Sequence, residues 1–316
     1  MFLGFRGRAP RPRTGTGAAA CGYGGGVTDD RAFAGPGTPD RTPSHPEAEA
    51  PRPLRFAIIG DGAIAQEILR LVDAVPGAAS ALSFVGHVTR STQSLTEALT
   101  RAELIVEAAG VGAVSEHGPR IVGAGRDLVV ASIGAFADPA LLPRLRSSGT
   151  GRVHLTSGAI GGLDLLAAAG RTGGLDGVKI QSRKLPDSLV QPWMEAEQRA
   201  HLAALRDPEL LFSGTAEEAI ERFPSSLNVA VAVQLAAGPD VPLVVELIAD
   251  PAAALTEHEI SASGDAGEYA LTIRNAPLEA RPASSGLTAR ALVGDLIRIA
   301  AQRRGERAAG GLSFAS

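Results

Sequence analysis

Between residues 54 and 303 the chain alternates short, wholly apolar runs with longer stretches whose apolar positions recur every three or four residues. Residues 56–59 (FAII) form a run of the kind buried on both faces of a parallel sheet. Ile64, Ile68, Leu69 and Leu71 then recur at helical spacing. The same alternation continues through strands at 81–88, 104–108, 127–132 and 152–155, with helices at 94–101, 114–124 and 139–146. Strands alternating with helices predict a doubly wound parallel sheet over residues 54–157.

The pattern changes after Ser157. A glycine-rich turn, Gly158 to Gly162, leads into a helix at 163–169, and 178–183 (VKIQSR) alternates like a strand. Residues 185–208 are polar, are interrupted by Pro186 and Pro192, and read as an excursion. Thr215 and Glu218 have the capping-box spacing and start a helix at 215–222. The run 227–236 fits a helix or a strand, and 243–249, 257–263 and 268–274 read as strands. This predicts an antiparallel-rich α/β second domain over 158–284. A last helix, 285–303, returns to the first domain, and 304–316 form a flexible tail. Residues 1–53 are rich in Gly, Pro, Arg and Thr with almost no aliphatic periodicity, so they cannot bury enough apolar area to order. They read as a disordered extension or an over-long start. A targeting segment is the alternative, although Pro10 and Pro12 interrupt an arginine-rich amphipathic helix and no apolar core of a secretory signal is present.

The junction of the first strand and helix carries the first chemical signal. Gly60-Asp61-Gly62-Ala63-Ile64-Ala65 is a G-x-G-x-x-[GA] turn in the strand–turn–helix context that makes it a dinucleotide-binding fingerprint of the Rossmann type. Gly60 permits the tight turn, Gly62 leaves room for a pyrophosphate, and Ala65 lets the helix pack. The helix N-terminus at Ala63 and Ile64 then offers free N–H groups. The second strand ends Val88-Thr89-Arg90-Ser91, with no carboxylate to hold a ribose 2′-hydroxyl. Arg90, with Ser91 or Thr92, fits a 2′-phosphate instead, so NADP is an expected cofactor beside NAD. The loops after Ser132 and Thr156 fall at strand carboxyl ends, where ligands bind in such sheets.

Composition narrows the function classes. The 316 residues carry a formal charge of −4, which gives no support for a nucleic-acid surface. One cysteine, Cys21, excludes an internal disulfide and a cysteine-based metal site. There is no apolar run of transmembrane length and no H-E-x-x-H spacing, so neither a membrane nor a metal is expected. Of six histidines, His258 follows an Asp-Pro turn and enters a strand, a placement suited to holding an imidazole over a cleft for proton transfer. Arg183 and Lys184 are candidate ligands for a substrate carboxylate. Asn228, an amide in an apolar stretch, needs partners; it either bridges elements or meets a cofactor amide.

SGAIGGLD (157–164), LNVAVA (227–232), ADPAAALTEHEI (249–260) and NAPLEARPASSGLTA (275–289), following GDGAIA in that order, resemble the L-aspartate dehydrogenase family. The resemblance spans about residues 54–303 and implies NAD(P)-dependent oxidation of L-aspartate to iminoaspartate. This hydrolyses to oxaloacetate and ammonia or feeds NAD biosynthesis. By resemblance His258 is the active-site histidine, Ala159 and Asn228 are cofactor contacts, and the enzyme is a cytoplasmic homodimer. The sequence departs from the family at Ser226 and Thr256, where asparagines are usual, and at Arg281-Pro282-Ala283-Ser284-Ser285. The alternatives are an oxidoreductase of the same fold acting on another small amino acid, imine or dicarboxylate, and a nucleotide-binding regulator without turnover.

Overall fold

In the computed structural model, residues 52–89, 92–224 and 226–305 are described. They belong to one compact unit. The first half runs β1 (Leu54–Ile59), α1 (Ala63–Ala74), α2 (Ala78–Ala81), β2 (Leu82–Val88), α3 (Thr92–Arg101), β3 (Leu104–Glu107), α4 (Val111–Gly123), β4 (Asp127–Val130), a 3-10 turn (Ile133–Ala137), α5 (Leu141–Ser147) and β5 (Val153–Leu155). The five strands are parallel in the order β2-β1-β3-β4-β5. The order reverses between β1 and β3, the switch point at which ligands enter such sheets.

Strand alternation explains why these runs are apolar throughout. Phe56 and Ile58 of β1, Leu104 and Val106 of β3 and Val129 of β4 face one side and pack with Ile68 and Leu71 of α1. Ala57, Ile59, Ile105, Leu128 and Val130 face the other, against Leu95 and Ile121 of α3 and α4. At the switch point Gly60 has φ +99°, and a Cβ there would lie 3.1 Å from the Ala108 carbonyl oxygen. Only glycine fits the turn without moving the loop after β3.

The second half runs α6 (Leu163–Arg171), β6 (Gly177–Lys184), a 3-10 turn (Pro186–Leu189), α7 (Ala196–Ala204), β7 (Glu209–Gly214), α8 (Ala216–Arg222), α9 (Asn228–Ala237), β8 (Leu243–Ala249), β9 (Thr256–Gly264) and β10 (Gly267–Asn275). A small hairpin of β11 (Pro277–Leu278) and β12 (Arg281–Ser285) precedes α10 (Gly286–Arg303). The second sheet has the order β10-β9-β6-β8-β7; only the β6/β8 pair is parallel. Helices α6 and α9 pack closely, and a Cβ on Gly170 would overlap the Ala237 carbonyl oxygen. The last helix lies on the first sheet: Leu292, Leu296 and Ile299 join the Phe56–Ile58 face. Arg303 there meets Asp127 at 2.7 Å.

The main departures from the sequence expectation lie in 185–215. The polar excursion contains α7, whose Glu195 and Gln198 close a capping box and whose only buried residue is Leu202. One buried position gives no apolar stripe to read. Strand β7 is an edge strand whose Leu210 is exposed, so it too lacks a two-sided apolar run. The ambiguous run 227–236 is the helix α9. The expectations for 1–53 and 304–316 fall, for 1–51 and 306–316, outside the described residues.

Candidate active site

The carboxyl ends of the first sheet face the inner side of the second across a cavity of about 320 Å³. From the first sheet come Ile64 of α1, the loop Ala108–Val111 after β3, Ser132 and Ile133 after β4, and Ser157, Gly158 and Ala159 after β5. From the second come Lys184 at the end of β6, Thr256 and His258 on β9, and Ser226 and Asn228 at the start of α9. Ser284, Ser285 and Thr288 close one side.

His258 is placed by register. Ser182 of β6 sits opposite it, and the hydroxyl and imidazole Nδ1 are 2.8 Å apart. Both side chains are fully buried, His258 at 1% exposure. Nε2 has no hydrogen-bond partner among the described residues, so it is the nitrogen available to a bound molecule. Burial, followed by the positive charge of Lys184, pushes the imidazole down to about 3. It is therefore neutral at physiological pH.

Lys184 lies two residues beyond Ser182 on the same face of β6, at 6% exposure. Its Nζ donates to the Ser226 carbonyl oxygen at 3.0 Å, and no carboxylate pairs with it among the described residues. Burial pushes it down to about 8, so most of it remains an ammonium at neutral pH. A buried ammonium without a counter-ion, beside a cavity, calls for an anionic ligand.

The nucleotide side offers complementary groups. The N-terminus of α1 has no side-chain cap at Gly62 and no acidic residue in its first turn. A Cβ at Gly62 would meet nothing within 4 Å, so the approach to those N–H groups is open. These features suit a pyrophosphate. His87 Nδ1 lies 2.8 Å from the Gly60 carbonyl oxygen and braces the same turn. Asn228 Oδ1 accepts the Gly134 N–H at 2.8 Å, and Asn275 Nδ2 donates to the Ala159 carbonyl oxygen at 2.6 Å. Those two amides join the second half of the chain to loops of the first.

The structure brings His258, Lys184, Ala159, Asn228 and Ile64 together around one cavity. Gly60, Gly62 and Ala63 form the adjoining β1–α1 turn. Arg90 lies outside the described residues. Arg183 does not reach the cavity. Consecutive strand residues face opposite sides, so Arg183 turns to the outer face and meets Asp250 at 3.1 Å and Glu257 at 3.8 Å. Its guanidinium is engaged in these ion pairs, so the structure does not bring it to the cavity as the sequence reading expects. Sequence reasoning missed Glu107, which accepts hydrogen bonds from both cavity loops, although a carboxylate inside LIVEA was a readable signal. It also passed over Thr288, which no spacing rule singles out, and placed the loop after Ser132 at the site without singling out the serine itself.

Comparison with known proteins agrees in both halves. A family model described as "Aspartate dehydrogenase, C-terminal" matches residues 164–299, and one described as "Homoserine dehydrogenase, NAD binding domain" matches residues 85–150. The L-aspartate dehydrogenase of Ralstonia pickettii is 37% identical over 255 residues, 74% of this chain and 93% of that one. That of Ruegeria pomeroyi is 39% identical over 259 residues, 77% of this chain and 91% of the relative. The crystal structure of aspartate dehydrogenase from Thermotoga maritima superimposes with a TM-score of 0.57 at 25% identity, covering 81% of this chain and 97% of that one.

Proposed function

The chain belongs to the L-aspartate dehydrogenase family, and we propose that its reaction, the NAD(P)-dependent oxidation of L-aspartate, takes place in the cavity at His258 and Lys184. The observation that carries this reading is the juxtaposition in that cavity of a neutral imidazole and a buried, unpaired ammonium. A dicarboxylate amino acid supplies the counter-charge the ammonium lacks, and the imidazole is the proton acceptor the substrate amine needs.

When bound, the dinucleotide supplies the hydride acceptor, its phosphates held by the N-terminus of α1 after Gly60 and Gly62 and its reacting end by the Ala159 loop and Asn228. Lys184 Nζ binds one carboxylate of L-aspartate and fixes the α-carbon. The α-hydrogen leaves with its electron pair, and His258 Nε2 takes the proton the nitrogen gives up as iminoaspartate forms. A carboxylate on Lys184 offsets one of the two causes that depress His258, so substrate binding itself raises the basicity of the imidazole. Ser182 holds the ring through Nδ1. The same imidazole then assists water in attacking the imine, which yields oxaloacetate and ammonia.

The finer features belong to the same proposal. Residues 54–157 with helix 285–303 bind the cofactor, and 158–284 bind the substrate and form a homodimer interface. Exposed Leu210 and Val244 on the second sheet support that interface. The enzyme works in the cytoplasm, and its imine product feeds NAD biosynthesis. None of the described helices is long and apolar enough to cross a membrane.

The test is reduction of NAD and of NADP by L-aspartate, beside D-aspartate, L-glutamate and L-alanine, with His258→Ala as control. Reduction with L-aspartate that falls by about 10²-fold or more in the control is expected. No turnover with L-aspartate, or an unaffected control, would overturn the assignment.

A further inference from the structure

Glu107, the last residue of β3, is a buried titratable group that the mechanism above does not use. It is fully buried at 0% exposure. One carboxylate oxygen accepts the N–H groups of Ala109 and Gly110, each at 2.8 Å, and the Ser132 hydroxyl at 3.0 Å. The other accepts the Ser132 N–H at 2.9 Å. Three of these donors are backbone N–H groups, which can only donate, so both oxygens must act as acceptors. No cation pairs with the carboxylate among the described residues. Ala109, Gly110 and Ser132 are themselves cavity wall, and His258 and Lys184 line the same space. Glu107 thus ties the loop after β3 to the loop after β4, directly behind the place where the reacting end of a dinucleotide must lie.

We propose that Glu107 is a positioning residue with an electrostatic consequence: its buried, uncompensated carboxylate makes the site favour the oxidised nicotinamide ring, which is positively charged, over the reduced ring, which is neutral. This rests on the dinucleotide reading given above. The two cofactor forms share the same pyrophosphate and adenosine, so every other contact cancels in the ratio of their affinities. What remains is the ring charge. A unit charge acting across roughly 10 Å at an effective dielectric of about 20 amounts to about a tenfold ratio. Burial raises the Glu107 carboxyl above the usual range, and the N–H groups of Gly110, Ser132 and Ala109 with the Ser132 hydroxyl act against that rise. Three donors that cannot accept favour the ionised form, whose field then reaches the cavity wall.

The experiment is a set of dissociation constants, measured by titration calorimetry without substrate, for NAD⁺, NADH and ADP-ribose. The proteins are the wild type, Glu107→Gln and Ser132→Ala. Glu107→Gln should weaken NAD⁺ more than NADH, lowering the NADH-to-NAD⁺ ratio of dissociation constants by about tenfold. Ser132→Ala removes one donor and keeps the charge, so it should weaken both forms in parallel. A Glu107→Gln variant that weakens both equally, or a Ser132→Ala variant that shifts the ratio as far, would overturn the proposal and leave only a structural role. Should Glu107→Gln fail to fold, Lys184→Met decides, because it removes the opposing ammonium from the same cavity. In that variant, relative to ADP-ribose, adding the oxidised ring must gain more affinity than adding the reduced ring, and the reverse order overturns the proposal. If the wild type binds none of the three, the dinucleotide reading itself fails and the proposal falls with it.

Discussion

Replacing Lys184 by methionine should stabilise the protein while weakening its hold on L-aspartate. Burial lowers the Lys184 ammonium from 10.5 to about 8. Each tenfold in proton affinity is about 1.4 kcal/mol, so the charged form is disfavoured in the folded state by about 3 kcal/mol at neutral pH. Methionine keeps the unbranched stem and removes the charge. It also removes the bond from the ammonium to the Ser226 carbonyl oxygen, which contributes about 2 kcal/mol because the donor is charged. The net expectation is a gain of about 1 kcal/mol, or a rise in Tm of about 3 °C for a chain of this size. The pH dependence gives a second signature. The folded pKa lies below the unfolded value, so between about pH 8 and 10.5 the unfolded chain binds the extra proton. Wild-type stability therefore rises with pH across that window, by this linkage alone. The difference between variant and wild type should be largest below pH 8 and shrink towards pH 10.5. Urea unfolding of both proteins at a series of pH values measures it. A variant less stable than wild type at neutral pH, or a difference that does not change across the window, would refute the reasoning. In the same variant the KM for L-aspartate should rise by about 10–100-fold, since a charge-assisted contact is lost, with affinity for the reduced dinucleotide, whose ring is neutral, little changed.

Three further outcomes follow from the same geometry. Ser182→Ala frees the His258 ring from its one side-chain hydrogen-bond partner among the described residues; kcat should fall by about tenfold, the effect of a misplaced proton acceptor, while the dissociation constant for the dinucleotide stays within about twofold. For Asp127, burial alone would raise the carboxyl, but His154, the Arg152 N–H and Arg303 together hold it well below the usual range. Its stabilisation is present above about pH 3.8 and lost as pH falls below that value. Asp127→Asn should thus lower stability by about 2 kcal/mol at neutral pH and flatten the acid limb of the stability curve. Gly60→Ala forces a Cβ towards the Ala108 carbonyl oxygen at φ +99°; dinucleotide affinity should drop about tenfold or more with the circular dichroism spectrum retained.

The centre of the first sheet was legible because both faces of β1, β3 and β4 are buried. FAII is wholly apolar and LIVEA and DLVVAS nearly so, and burial of that kind writes itself into composition. The Thr215–Glu218 capping box was equally direct, and the structure holds both of its bonds. What the sequence hid is decided by one-sided or edge packing. Helix α7 buries only Leu202, and β7 lies on a sheet edge, so neither carries a periodic signal. The site divides the same way. His258 stood out by its context, whereas Arg183 and Lys184 were indistinguishable as a dipeptide. Their roles separate only once strand parity sends one to the cavity and the other to Asp250 and Glu257. Glu107 was visible as a charge in an apolar strand, yet its meaning needed the two loops it holds, one immediately beside it and one 25 residues further along.

The proposed reaction is hydride transfer from the α-carbon of L-aspartate within the His258–Lys184 cavity. The most direct measurement is a single turnover with L-aspartate deuterated at the α-carbon, followed by mass spectrometry of the dinucleotide. One deuterium is expected in the reduced dinucleotide formed by the wild type, and no reduced product above background with His258→Ala. Reduced dinucleotide without the label, or undiminished labelled product from His258→Ala, would contradict it.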